Sequence, residues 1–258
     1  MAKRATGYFI FILILSLGIG CATEQAALRE KKIRALQDMG VSYVHEGNLR
    51  AALGKFLEAA ELDPQNPDIH HQLGLIYRGL GKYRLAVDHF KKALALRPKF
   101  PEAMNNLGTV YLILEQWDLA IKAFEGALSD LTYKTPHMAY NNLGLVYYNQ
   151  GKYREAIANY KLALKNFPSF SLCYRNLGLA YEAVGDREAA LDAYRQAITL
   201  SPEYGAAHLN LGELYLKLNR TAEAAEQLKK AIEPDPRSAV AEKAKKLLRT
   251  IEQQGLAR

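Results

Sequence analysis

An all-α fold of stacked helical hairpins is predicted by three observations in this chain of 258 residues. The first is a period: the stretch from Pro67 to Phe100 returns, with the same residue classes at the same places, every 34 residues over most of the length. The second is the identity of what recurs. Leu73, Gly74, Tyr77, Ala86, Phe90, Ala93 and Pro98 hold positions 7, 8, 11, 20, 24, 27 and 32 counted from Pro67, so small residues let two antiparallel helices approach while Tyr and Phe fill the space between them. The third is punctuation. Gly81 stands just past the first helix, where a left-handed residue caps it, and Pro98 ends the second because it has no N–H to donate. One hairpin cannot bury its own apolar face, so the copies must stack into a solenoid.

In chain order, residues 1–20 read as an export signal. Lys3 and Arg4 lead into a twelve-residue apolar run, Tyr8 to Ile19, broken by Ser16 and Gly18. The run falls short of the ~20 residues that span a bilayer as a helix. Its end, LSLGIGC, resembles the lipobox of bacterial lipoproteins, which implies that Cys21 carries the lipid and becomes the mature N-terminus. Lipoboxes usually place Leu three residues before the Cys, and here Gly18 stands there. Small residues at Gly18 and Gly20, or at Gly20 and Ala22, also suit ordinary signal-peptidase cleavage, and an uncleaved anchor is the third reading. Ala22 rather than Asp after the Cys is similar to lipoproteins of the Gram-negative outer membrane, which implies a lipid-anchored protein on the periplasmic side of that membrane. With Cys21 acylated, Cys173 is the only thiol and the chain folds without a disulfide.

Residues 21–32 are polar and helix-permissive, a tether leading to the array. The repeats then follow as 33–66, 67–100, 101–136, 137–170, 171–204 and 205–238, of which the third is two residues longer and has Thr132 where proline is expected. Ala239 to about Gln253, within a final segment 239–258, has Val240, Ala244, Leu247, Leu248 and Ile251 at helical spacing, as a helix covering the last apolar face requires. With nearly every signature position filled in six copies, the array is identified as a member of the tetratricopeptide repeat family. That resemblance implies a right-handed superhelical solenoid of six repeats with a C-terminal capping helix, whose concave surface is lined by the first helix of each repeat.

The composition excludes several functions. A net charge of +7, about +5 without Lys3 and Arg4, is too mild and too dispersed for nucleic acid. The chain has no Gly-rich phosphate loop, G-x-S-x-G elbow, C-x-x-C pair or His/Glu metal spacing, so no enzyme, cofactor, metal or small-molecule substrate is expected. His70 and His71 are adjacent and point about 100° apart on a helix, unable to share a metal as an i, i+4 pair would. At position 4, His70 and His208 read most simply as packing residues.

Binding of a protein or an extended peptide is what remains, and the family implies where. Positions 2, 5, 6, 9, 12 and 13 face the groove in such arrays, and position 6 reads Asp38, Gln72, Asn106, Asn142, Asn176 and Asn210. Asparagine is a mediocre helix former, yet its amide donates to and accepts from one peptide bond at once. A similar ladder lines the tetratricopeptide region of O-linked N-acetylglucosamine transferases. Two other readings stay open, that duplication copied one Asn or that each bonds within the array. Asn105 and Asn141 lie beside the ladder, and Leu75, Leu112, Leu145, Tyr148 and Leu179 supply apolar lining. Arg34, Arg78, Arg175 and Lys217 are too scattered for a carboxylate clamp.

The irregular junction Ala127 to Gly144, ALSDLTYKTPHMAYNNLG, resembles the matching junction in the type IV pilus biogenesis lipoproteins, through Asp130, Tyr133, Thr135, Pro136, Asn142 and Gly144. The resemblance implies a pilotin, which escorts an outer-membrane secretin and promotes its multimerisation. A tetratricopeptide scaffold or peptide-binding chaperone for another envelope, secretion or polysaccharide-export machine is the alternative.

Overall fold

The computed structural model describes the backbone of residues 2–253 and 255, and the side chains of residues 24–253 and 255. Among them are thirteen helices and no strand, in two compact units, residues 1–110 and 111–258. No helix of the described residues is long and apolar enough to cross a membrane.

In the first unit α1 (Ala2–His45) pairs with α2 (Leu49–Leu62), and α3 (Pro67–Gly79) with α4 (Tyr83–Leu96). Phe56 of α2 packs with Ile33 and Leu36 of α1 and with Ile69, Leu73 and Ile76 of α3, so one hairpin's second helix covers the next hairpin's first. The expected border between tether and array, at residues 32 and 33, falls inside α1, which continues unbroken across it. Cys21 lies outside the described side chains. α5 (Pro101–Ile113) starts in this unit, and the division between the units falls within it.

The second unit continues with α6 (Trp117–Leu128), α7 (Pro136–Asn149), α8 (Tyr153–Asn166), α9 (Ser171–Ala183), α10 (Arg187–Leu200), α11 (Gly205–Lys217), α12 (Thr221–Ile232) and α13 (Ala239–Gln253), each packed on its neighbours in sequence. The extra residues of the junction form a turn before α7. There the Asp130 carboxylate accepts from the Thr132 backbone N–H and hydroxyl at 2.9 and 2.7 Å, Tyr133 is buried, and Pro136 begins the helix, where a missing N–H costs nothing. As the apolar spacing predicts, α13 is the cap. Its Ala244 and Ile251 cluster with Leu209, Leu228 and Ala231, while Glu242, Lys243, Lys246 and Arg249 face solvent.

Two devices recur along the array. At position 8 a glycine faces the residue at position 24: a Cβ on Gly74 would sit 2.6 Å from Phe90 Cε1, and one on Gly178 would sit 2.5 Å from Tyr194 Cε1. The absent side chain is therefore what lets the ring fill the space between the helices. At position 15 the chain turns left-handed, at Gly47, Gly81, Glu115, Gly151, Gly185 and Asn219. The N–H after each returns to the carbonyl of the position-11 tyrosine, from Asn48 to Tyr43 at 2.8 Å through to Arg220 to Tyr215 at 2.9 Å. This is the Schellman closure of the first helix.

Glu115 is the exception with a cost. Its φ of +56° crowds a Cβ against the following carbonyl, and unlike Asn it has no short polar side chain to bond locally. Glu115→Gly is expected to raise stability by about 1 kcal/mol, read as a higher thermal midpoint with unchanged helicity. An unaltered midpoint would show that the turn carries no strain.

Candidate partner-binding face

The family-facing positions lie on α1, α3, α5, α7, α9 and α11, and several of their polar side chains are latched to one another. In the first unit the Asn106 amide N–H lies 3.0 Å from His71 Nε2, and Arg78 donates to Asn106 Oδ1 at 3.1 Å. In the second, Asn176 Nδ2 donates to Asn141 Oδ1 at 3.1 Å and Arg175 Nε to Asn210 Oδ1 at 2.7 Å. His71–Asn106, Asn141–Asn176 and Arg175–Asn210 are each 35 residues apart, which is one period plus one residue. Position 5 of one repeat thus bonds position 6 of the next. Lys217 reaches back by the same step to Glu182, 2.7 Å away, and Tyr194 donates to the other Glu182 oxygen at 2.6 Å.

Three members of the ladder, Asn106, Asn176 and Asn210, thus bond within the array, and these bonds set the register of neighbouring first helices. Of the residues expected to bind a partner, Asn105, Asn141, Asn176 and Asn210 are buried, while Asn106 and Asn142 are half-buried. Leu75, Leu145, Tyr148 and Leu179 are half-buried and Leu112 is nearly covered. Burial, with Tyr153 and Glu182 nearby, holds the Tyr148 hydroxyl above its usual range, so it stays neutral. Arg78, Arg175 and Lys217 are each held by a neighbour in their own unit, which suits an apolar, uncharged contact better than capture of a free carboxylate.

The position-4 histidines do more than pack. His70 Nε2 lies 3.0 Å from the carbonyl of Pro64 and His208 Nε2 lies 2.8 Å from that of Pro202, the position-32 prolines of the preceding repeats. A carbonyl only accepts, so each Nε2 carries a proton. Each Nδ1 then meets position 23, His89 Nδ1 at 3.1 Å and the Gln227 side-chain amide at 2.8 Å. A histidine six places after a proline, found at both sites, was the sequence signal for these pins. Cys173 is buried, its thiol 3.4 Å from the Tyr160 carbonyl, and burial pushes it up to about 12. It is inert at neutral pH. Among the described residues no three His, Cys, Asp or Glu side chains are grouped to hold a metal ion.

Family profiles described as tetratricopeptide repeat match residues 67–100, 100–169 and 175–239, and one described as TPR repeat matches residues 40–81. Among solved structures the chain is similar to PilW, described as a widely conserved type IV pilus biogenesis factor, at 23% identity and a TM-score of 0.74 over 81% of this chain and 96% of that one. It is similar to pilF of Pseudomonas aeruginosa at 20% identity and a TM-score of 0.72, over 85% of this chain and 99% of that one. YrrB, described as a TPR protein with an unusual peptide-binding site, is 22% identical with a TM-score of 0.53, over 74% of this chain and 97% of that one. At these identities the likeness is one of fold. No curated protein sequence matches the chain.

Proposed function

This chain is a tetratricopeptide-repeat protein, and from that premise we propose that it is a non-enzymatic protein-interaction scaffold, an outer-membrane lipoprotein that promotes localisation and assembly of a type IV pilus secretin. The observation that carries the reading is the likeness to PilW and pilF over 96% and 99% of their own lengths. The turn before α7, with Asp130, Tyr133 and Pro136, supports it from the sequence side. Likeness to YrrB, with its peptide-binding site, favours a second reading, a peptide-binding scaffold for another envelope machine.

The mechanism asks little chemistry of the chain. Leu145, Leu179 and Tyr148 offer half-buried apolar surface that a partner segment would cover, at roughly 25 cal/mol per Å² removed from water. Latched polar neighbours hold this surface in one arrangement, so little side-chain freedom remains to be lost on binding. A lipid on Cys21 would confine the search for partner subunits to a membrane surface, which raises their effective concentration.

Fractionating membranes of cells carrying the native chain or Cys21→Ser, and probing secretin multimers in the same samples, tests both halves. Loss of the protein from the outer membrane together with loss of multimers is the expected result. Relocation with multimers intact would overturn the secretin assignment, and no relocation would overturn the lipid anchor.

A further inference from the structure

We propose that one edge of the second unit, made by the turn before α7, the start of α7 and the segment after α8, seats on an anionic lipid surface. Its starting point is a substitution between equivalent places in two repeats. In the second repeat positions 2 and 31 are Asp68 and Arg97, joined by paired bonds of 2.8 and 2.7 Å in solvent. In the fourth repeat the same positions are Met138 and Phe167, 38% and 43% exposed. A solvated ion pair has given way to two large apolar side chains in water.

The change extends along the edge. The His137 ring lies 4.8 Å from that of Phe167 and 5.4 Å from that of Phe170, which ties the start of α7 to the segment after α8. Leu172, two residues past Phe170, is 39% exposed, and Leu131, on the turn that runs into α7, is wholly exposed. Scattered single leucines on a surface are ordinary, but Met138, Phe167 and Leu172 each stand within two residues of the His137–Phe167–Phe170 contact, and Leu131 stands on the turn that leads to it.

Charge decides what covers them. Residues 131–138 and 165–172 contain no Asp or Glu, and each run carries one lysine, Lys134 and Lys165, both exposed. The nearest carboxylate in sequence, Asp130, is turned to its own Thr132. Apolar side chains standing singly from turns and helix ends, with a lysine and no acid in each of the two runs, suit a fluid interface of acyl chains beneath anionic headgroups, which needs no matching cavity. This contact is separate from the acyl chain expected on Cys21 and adds a second, weaker attachment of the kind that makes a single lipid anchor durable.

The test uses the full chain with Cys21→Ser and Trp117→Phe, so that a single introduced tryptophan reports. With Leu131→Trp, vesicles of phosphatidylethanolamine and phosphatidylglycerol should shift the emission to the blue and brominated lipids should quench it. High salt should reverse both, and Val184→Trp, exposed on another part of the unit, should respond to neither. Unmoved L131W emission overturns the proposal, as does an equal response from V184W or an equal response to pure phosphatidylcholine. A shift that needs a secretin in the membrane, and is absent in protein-free vesicles, gives the edge to a protein partner and overturns the lipid assignment.

Discussion

Gly144→Ala is expected to cost about 2 kcal/mol, although alanine is the better helix former by up to about 1 kcal/mol. Its Cβ would sit 2.5 Å from Tyr160 Cε1 and 2.6 Å from Cδ1, and the Tyr160 ring is itself buried, so the contact is relieved only by parting α7 from α8. The sixth repeat supplies the control. There Gly212 faces Leu228, whose Cγ would lie 3.0 Å from a new Cβ, and a branched aliphatic side chain yields more readily than a ring. Gly212→Ala should therefore lose less than about 1 kcal/mol. Tyr160→Leu leaves a cavity by itself, yet combined with Gly144→Ala it gives the same Ala–Leu pair that Gly212→Ala makes in the sixth repeat. The double variant should be more stable than the sum of its parts by at least about 1 kcal/mol. Urea titrations followed by helical circular dichroism measure all four. Simple additivity would mean that the glycine serves some need other than clearance for the ring.

That pair also shows which features were legible in the sequence. Glycine against an aromatic residue sixteen places later repeats with the period, so the hairpin and its core follow from spacing, as does α13 from the phase of Ala244, Leu247 and Ile251. The left-handed turn could be read at Gly81 and its glycine equivalents but not at Glu115, because side-chain identity there opposes the backbone that the tertiary packing imposes. Position 6 was recognisable as a column of amides facing one way. What those amides bond to was not, since a one-repeat period places equivalent residues together and the latch joins position 5 to position 6, one residue out of step. Repetition in sequence reports what each unit contains; the contacts between units depend on the small rotation from one hairpin to the next, which no single repeat encodes.

The first unit should lose stability between pH 7 and pH 5 by about 2 kcal/mol from His71 alone. Arg78 holds Asn106 Oδ1, so the amide turns its N–H toward His71 Nε2, which must accept. A proton on that nitrogen would set donor against donor. Burial, with Arg78 and Arg97 adding to it and Asp68 opposing, brings the ring down to about 4. The His70–His89 pair is neutral for a related reason. His70 donates through Nε2 to Pro64 and accepts through Nδ1 from His89, and burial, the facing ring and Lys92 bring His89 down to about 4 against a weak pull from Asp88. His70 is lowered by burial and Lys92, against its bond to Pro64 and the charge of Asp63. Because the folded-state values lie below the unfolded value near 6.5, the unfolded chain takes up protons first as pH falls. The stabilisation is complete above that value and is lost progressively down to about 4. Hydrogen exchange of amides in α3 and α4 at pH 7 and pH 5 measures the loss locally, before carboxylate titration dominates. His71→Gln, which can still accept from Asn106 but does not titrate, should flatten the pH slope. A slope unchanged in that variant would place the acid sensitivity elsewhere, and a native chain indifferent to pH over this range would mean that these rings can take up a proton without breaking the bonds that join one repeat to the next.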